Sequence, residues 1–304
     1  MMIKMILIIH LKNTLESVDY YKKSPMKKIL LFISITIVLI NFSCNKTKNT
    51  SINYQYGVEI SSDYASVQHL LINLSSTYFK VIYDTILFTE GHNKIDEAIV
   101  SYYPDSAYQI VIYYPEWGTN DGYGNWRQGD ILIKADNGLF NMDYPSEILL
   151  SNFNTDKDTI RADSYIYKYL GENNGTANFS MEVVNGSRSF EDTTGIIKFD
   201  ANINIDVDLS LNNGNKIPNT LYFSGDLSGT CRNGNGFQSE TQESLISDLS
   251  CNWMKGGVVY VSFSDVEYSG AVTYSDPALC ENWYNLTIND ISFPSKIIKP
   301  KWVN

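Results

Sequence analysis

The sequence predicts an all-β protein, an antiparallel sandwich or a curled meander, carrying one N-terminal amphipathic helix. Three observations predict it. Apolar residues recur at three- and four-residue steps between Tyr64 and Thr89, and from Ile95 onward the period changes to two. Asn-Gly, Gly-Asn and Ser-Gly steps separate the alternating segments, as in a run of hairpins rather than a βαβ alternation. The 22 Tyr and the abundance of Asn and Gly suit strands joined by tight turns, because aromatic rings fit a pleated surface while Asn and Gly tolerate positive φ.

Residues 1–25 are expected to be an upstream extension from a start codon set too early and are excluded from the fold. Residues 26–43 have the order of a signal peptide: Lys27-Lys28, the apolar run Ile29 to Ile40, then Asn41-Phe42-Ser43 before Cys44. The run holds 12 residues, whereas a spanning helix needs roughly 20 to cross about 30 Å of hydrocarbon. A small residue directly before a cysteine resembles the lipobox of bacterial lipoproteins, in which the cysteine thiol is diacylated and becomes the mature N-terminus. Cys44 is therefore the expected lipid attachment, and Asn41 stands where that pattern has an aliphatic residue. Each buried methylene contributes about 0.8 kcal/mol, so two or more chains hold a protein at a membrane without a further hydrophobic segment.

Residues 44–57 read as a polar tether and 58–94 as a helical segment, in which Val67, Leu70, Leu71, Leu74, Tyr78, Val81, Ile82 and Ile86 form an apolar face over 64–89. Asp63 or Ser62 is the expected cap and Gly91 the stop, and the helix is expected to cover one edge or face of the sheet. Residues 95–304 form the β-rich domain, with strands expected at 108–113, 130–134, 159–169, 178–184, 196–211, 257–263, 271–274 and 284–288. Asn202 to Leu209 alternates most strictly, setting Asn202, Asn204, Asp206 and Asp208 on one face. That row is expected to face solvent rather than calcium.

Of 23 basic and 34 acidic side chains, six and two lie in residues 1–43, leaving 17 against 32 and a mature net charge of −15. Such an excess repels phosphate backbones, and with only four Arg in the chain nucleic-acid binding is excluded. An exported chain permits disulfides, and Cys251 and Cys280 bracket strands that can return on themselves. Cys231 is left either free or as the true partner of one of them. No close cysteine pair and two mature histidines, His69 and His92, make a poor zinc site.

Cys251-Asn252-Trp253 with Gly256-Gly257, and Cys280-Glu281-Asn282 leading into Leu286 to Asn289, resemble the closing segment of uncharacterised Bacteroidetes envelope lipoproteins. Asn125 to Ile133, after Asp121-Gly122, is similar to that group's glycine-rich loop, although 117–122 lacks the cysteine the loop usually carries. The resemblance covers about residues 95 to 290. It implies a β-fold envelope lipoprotein and no activity. In Bacteroidetes lipoproteins acidic residues after the lipidated cysteine look like the signal for transfer to the cell surface, and the basic Asn45 to Lys48 here, on that resemblance, tilts the expectation toward an outer-membrane protein facing the periplasm.

No nucleophile with a base, paired acids in a cleft or metal cluster stands out, so catalytic residues, metal and cofactor are all read as none. Asn154 to Asp158 has the oxygen spacing that opens an EF-hand loop but neither its Gly nor its closing Glu, and reads as a turn. The candidate ligand-binding residues are Trp117, Tyr123 and Trp126, interleaved with Gly118, Gly122 and Gly124, because flat rings stack on sugars and glycines permit close approach. Tyr165, Tyr167 and Tyr169 read as a packing stripe. The function expected is a non-enzymatic lipid-anchored envelope protein with a structural or protein-interaction role. The alternatives are a glycan-binding lipoprotein using the aromatic loop, or a pilus-type subunit that polymerises by strand donation.

Overall fold

The computed structural model describes residues 54–105, 109–191, 195–251, 253–264, 269–274, 282–288 and 291–296. The leader, Cys44 and Cys280 lie outside the described residues. Two helices, α1 (Tyr54–Ile82) and α2 (Thr85–Glu90), precede a single antiparallel sheet. Its strands are β1 (His92–Ile95), β2 (Ala98–Tyr103), β3 (Gln109–Asn120), β4 (Trp126–Lys134), β5 (Ser146–Thr155), β6 (Asp158–Arg161), β7 (Ser164–Asn173) and β8 (Thr176–Ser189). There follow β9 (Ile196–Asn212), β10 (Asn215–Thr230), β11 (Gly236–Asp248), β12 (Met254–Phe263), β13 (Ser269–Tyr274), β14 (Trp283–Ile288) and β15 (Ile291–Lys296). Strands neighbour one another in chain order, except that β7 pairs both β5 and β8 while β6 lies between those same two. The all-β expectation holds, and of its two forms the meander is the one adopted. Among the described residues no pairing joins β1 to β15.

The sheet curls round α1. Side chains from the β1–β2 turn (Asp96), β4 (Arg127), β7 (Tyr167), β8 (Phe179 and Arg188), β11 (Phe237) and β14 (Tyr284) all reach this one helix. From Gly57 to Ile82 only Glu59 is exposed. The helix is thus enclosed rather than laid on one face, which corrects the amphipathic reading of its placement. Its apolar side, with Tyr64, Leu71 and Phe79 fully buried, contributes about 1.5–3 kcal/mol per large side chain. Its polar side is buried too, because partners meet it. Thr77 accepts from Arg127 at 2.8 Å, Lys80 pairs with Asp96 at 2.9 Å, and His69 stacks on Trp253. Buried hydroxyls and amides without such partners would cost roughly 1–3 kcal/mol each.

Helix boundaries differ from the expectation of 64–89. The first helix begins at Tyr54, inside the segment read as tether, and Asp63 is an interior residue whose carboxylate pairs with Arg232 instead of capping. The break falls at Asp84, which accepts from Leu87 N at 3.0 Å as the N-cap of α2, and Gly91 at φ 76° closes that turn. An aspartate favours this role over a helix interior because its side chain competes for backbone N–H groups. Strands β1, β2, β5, β10, β11 and β15 were not among those expected. The segment 159–169 is divided between β6 and β7 at Ala162-Asp163.

Candidate functional site

A group of polar and ionisable side chains lies where the middle of α1 meets the β3–β4 and β5–β6 hairpin tips and the β11–β12 turn. His69, Asn73, Asn125, Arg127, Thr155, Asp156, Arg188 and Trp253 line a cleft there. Its free volume of about 20 Å³ is room for a single water-sized group.

Most of this chemistry is already committed. Arg127, 3% exposed, pairs with Asp121 at 3.0 Å and donates to Thr77 and to Tyr114 Oη at 3.1 Å. Asp121 also accepts from Asn125 Nδ2 at 2.6 Å and from the backbone N–H of Tyr123, so the β3–β4 turn is folded round its carboxylate. Arg188 donates through Nε and Nη2 to Asp158, at 2.9 and 2.7 Å, and through Nη1 to the carbonyl of Ser66 on α1. His69 stacks on Trp253 with ring centroids 4.2 Å apart, and Asn73 Nδ2 lies 3.0 Å from its Nε2. Arg127 Nε is the atom of this set left buried without a partner. Burial raises the Asp156 carboxyl above the usual range, against the lowering effects of the Trp126 N–H and of Arg188.

The expected aromatic site divides into separate environments. Trp117 lies on β3 and is 78% exposed. Trp126, at the start of β4, covers Gly118 so closely that a Cβ there would fall 1.8 Å from its Nε1, which is why glycine occupies that position. Tyr123 lies under the Lys80 ammonium, 4.0 Å from the ring centroid. These residues are a turn and its covering, with Trp117 alone projecting.

The structure also forms a second concavity that the sequence reading missed. Strand β5 and the segment containing β6 and β7 make one hairpin, closed by the Asp156-Lys157 turn. Asn154↔Thr159 and Thr155↔Asp158 pair at one end, Ser146↔Tyr167 and Glu147↔Ile166 at the other, in the same register. Between them, residues 148–153 and 160–165 are unpaired with each other, so the strands bow apart. Asn152, at φ 48°, bulges β5 toward β4, where a Cβ on Gly129 would lie 2.2 Å from the Asn152 carbonyl oxygen. On the far rim Asp163 N donates to Val184 O and Asn185 donates to the Asp163 carboxylate. The result is a groove of about 690 Å³ with Ser151, Asn152, Asn154, Thr159, Arg161, Asp163, Asn185 and Ser187 on its walls.

Other candidates keep their structural readings. The row Asn202, Asn204, Asp206, Asp208 faces outward on β9, with Asp206 accepting from Asn178 and Asp208 from Thr176. Asp156 and Lys157, at φ 53° and 68°, are the hairpin turn expected of 154–158. Tyr165 and Tyr167 are buried, and Tyr169 packs on Phe140 and Phe179. Cys251 is disulfide-bonded, whereas Cys231 is a free buried thiol that burial pushes up to about 12. Among the described residues no three His, Cys, Asp or Glu side chains converge to hold a metal, and no helix is long and apolar enough to cross a membrane.

No known family, curated protein sequence or solved structure matches the chain.

Proposed function

We propose that this chain is a non-enzymatic lipoprotein, held by acyl chains on Cys44 at the periplasmic face of the outer membrane, which engages another envelope protein through the outside of its sheet. The observation that carries this reading is how the interior ionisable groups are spent. Asp63–Arg232, Asp121–Arg127 and Asp158–Arg188 are ion pairs that fix α1 and the hairpin tips in place. An acid–base site would instead hold such a group poised toward a substrate. Partner contact is supported by the β4–β5 connection, where Phe140, Met142 and Tyr144 are exposed and Met142 lies beside Gly171, next to exposed Leu170. Clustered exposed apolar side chains of this kind mark interaction surfaces.

Intact mass and membrane fractionation of the natively expressed protein, against a Cys44→Ser variant, test the anchor. The expected result is a mature mass beginning at Cys44 with acyl chains, and release of the variant from membranes. A soluble, unacylated wild type sinks the reading. A glycan-binding role is the second reading, favoured by the exposure of Trp117.

A further inference from the structure

We propose that the groove between β5 and the β6–β7 segment is a binding site for a neutral saccharide. It deepens the second reading above, but moves the site from the aromatic turn to the bowed hairpin.

The groove belongs to the architecture of the sheet and is not a slip in its pairing. Its two ends keep one register, and each rim is held open by its own device, the Asn152 bulge over Gly129 on one side and the Asp163–Asn185–Val184 bonds on the other. A volume of about 690 Å³ lies within the roughly 300–1,000 Å³ usual for ligand sites.

The lining selects the ligand. Ser151, Asn152, Arg161 and Ser187 make no side-chain hydrogen bond within the described protein and stand exposed or half-buried at the walls. They present hydroxyl, amide and guanidinium groups that match sugar hydroxyls as donors or acceptors. The backbone of 148–153 and 160–165, unpaired across the gap, adds N–H and C=O groups that need partners. Leu150 and Ala162, both half-buried, supply apolar surface for the C–H faces of a ring. The lining holds one Arg and one Asp, so no net charge calls for an ionic ligand.

A peptide fits less well. A peptide strand adds to a sheet along an open, exposed edge. This gap is closed at both ends by paired residues, which leaves a window and not an edge.

The test is calorimetric titration of the full-length protein, purified in a detergent without a sugar headgroup. The probes are neutral tetrasaccharides of glucose, mannose and N-acetylglucosamine, a uronic-acid tetrasaccharide, and an extended unstructured peptide. Saturable binding of at least one neutral oligomer is expected, with little dependence on salt. Arg161→Ala is expected to weaken it about tenfold or more, Ser151→Trp to weaken it by a similar factor by crowding one wall of the groove, and Trp117→Ala to leave it unchanged. Neither groove variant touches the core, and each is checked by its unfolding midpoint. No binding by any neutral oligomer, preference for the uronic acid or the peptide, or binding lost only in Trp117→Ala would each overturn the proposal. The last result would keep the second reading and discard the groove, whereas failure of the Cys44 experiment would touch neither.

Discussion

Strands β9 and β5 sit in the same sheet and obey different rules. β9 is paired along nearly its whole length on both sides, by β8 and β10, and from Ile196 to Val207 its residues alternate strictly between exposed and buried. β5 is paired along most of its length on one side only, carries Asn152 at positive φ, and bows away from its hairpin partner over six residues. The regular strand is explained by burial alone, since a pleated strand with one face on a core needs nothing beyond a period of two. The bowed one is held by polar contacts at its tip. Asp158 anchors the hairpin to Arg188, and Arg188 is bonded in turn to the backbone of α1. Polar anchoring costs more to disturb than alternation, and it is spent where the sheet departs from regularity.

The largest expected effect breaks that anchor. Arg188→Met leaves the Asp158 carboxylate, 6% exposed, without its cation and frees the Ser66 carbonyl. Removing one partner of a buried pair costs about 3–5 kcal/mol, or roughly 6–20 °C in midpoint for a domain of this size. Chemical denaturation of the single variant and of Arg188→Met with Asp158→Leu checks it. The double variant should recover part of the loss, because the stranded charge is gone. If the single variant unfolds within 1 kcal/mol of wild type, the anchor is not what holds the bowed hairpin.

The same contrast governs how much was legible in the sequence. β9 could be read because Asn202 to Leu209 writes its two faces directly, and its outward acids face solvent as expected. In β5 the adjacent Leu149 and Leu150, with Asn152 two residues on, obscure the period, and the strand was missed. The groove was less legible still. Residues 159–169 read as one strand, and indeed keep one register along β8, so that only the pairing to β5 reveals the gap. The enclosure of α1 escaped for a related reason. Its Ser66, His69, Asn73 and Thr77 look like a solvent face until Arg127, Arg188 and Trp253, all far away in sequence, are brought against it.

A smaller effect probes the regular side. Ile205 is fully buried on β9 between Phe179 and Phe223 of the neighbouring strands. Ile205→Val removes one methylene from a close-packed ladder and should cost about 0.5–1.5 kcal/mol. The denaturant midpoint should fall while the m-value stays constant. A larger loss, or a changed m-value, would mean that the ladder is less redundant than its alternation implies and would narrow the difference between the two strands.

The smallest effect has the opposite sign and belongs to the hairpin tip. Asp156 occupies the left-handed region at φ 53°, accepts the Trp126 N–H at 2.8 Å, and has its carboxyl raised by burial. A carboxyl whose folded value exceeds its unfolded one binds protons more tightly when folded, so its ionised form detracts from stability above the folded value. That penalty disappears as pH falls through the folded value toward the unfolded one, near pH 4. Asp156→Asn keeps the accepting oxygen and tolerates the same backbone conformation. It should therefore raise the thermal midpoint at neutral pH, with the gain shrinking toward about pH 4. A gain that stays constant with pH would assign the effect to turn preference alone. The tip of the bowed hairpin would then bear no electrostatic strain, and its anchoring would rest entirely on Asp158 and Arg188.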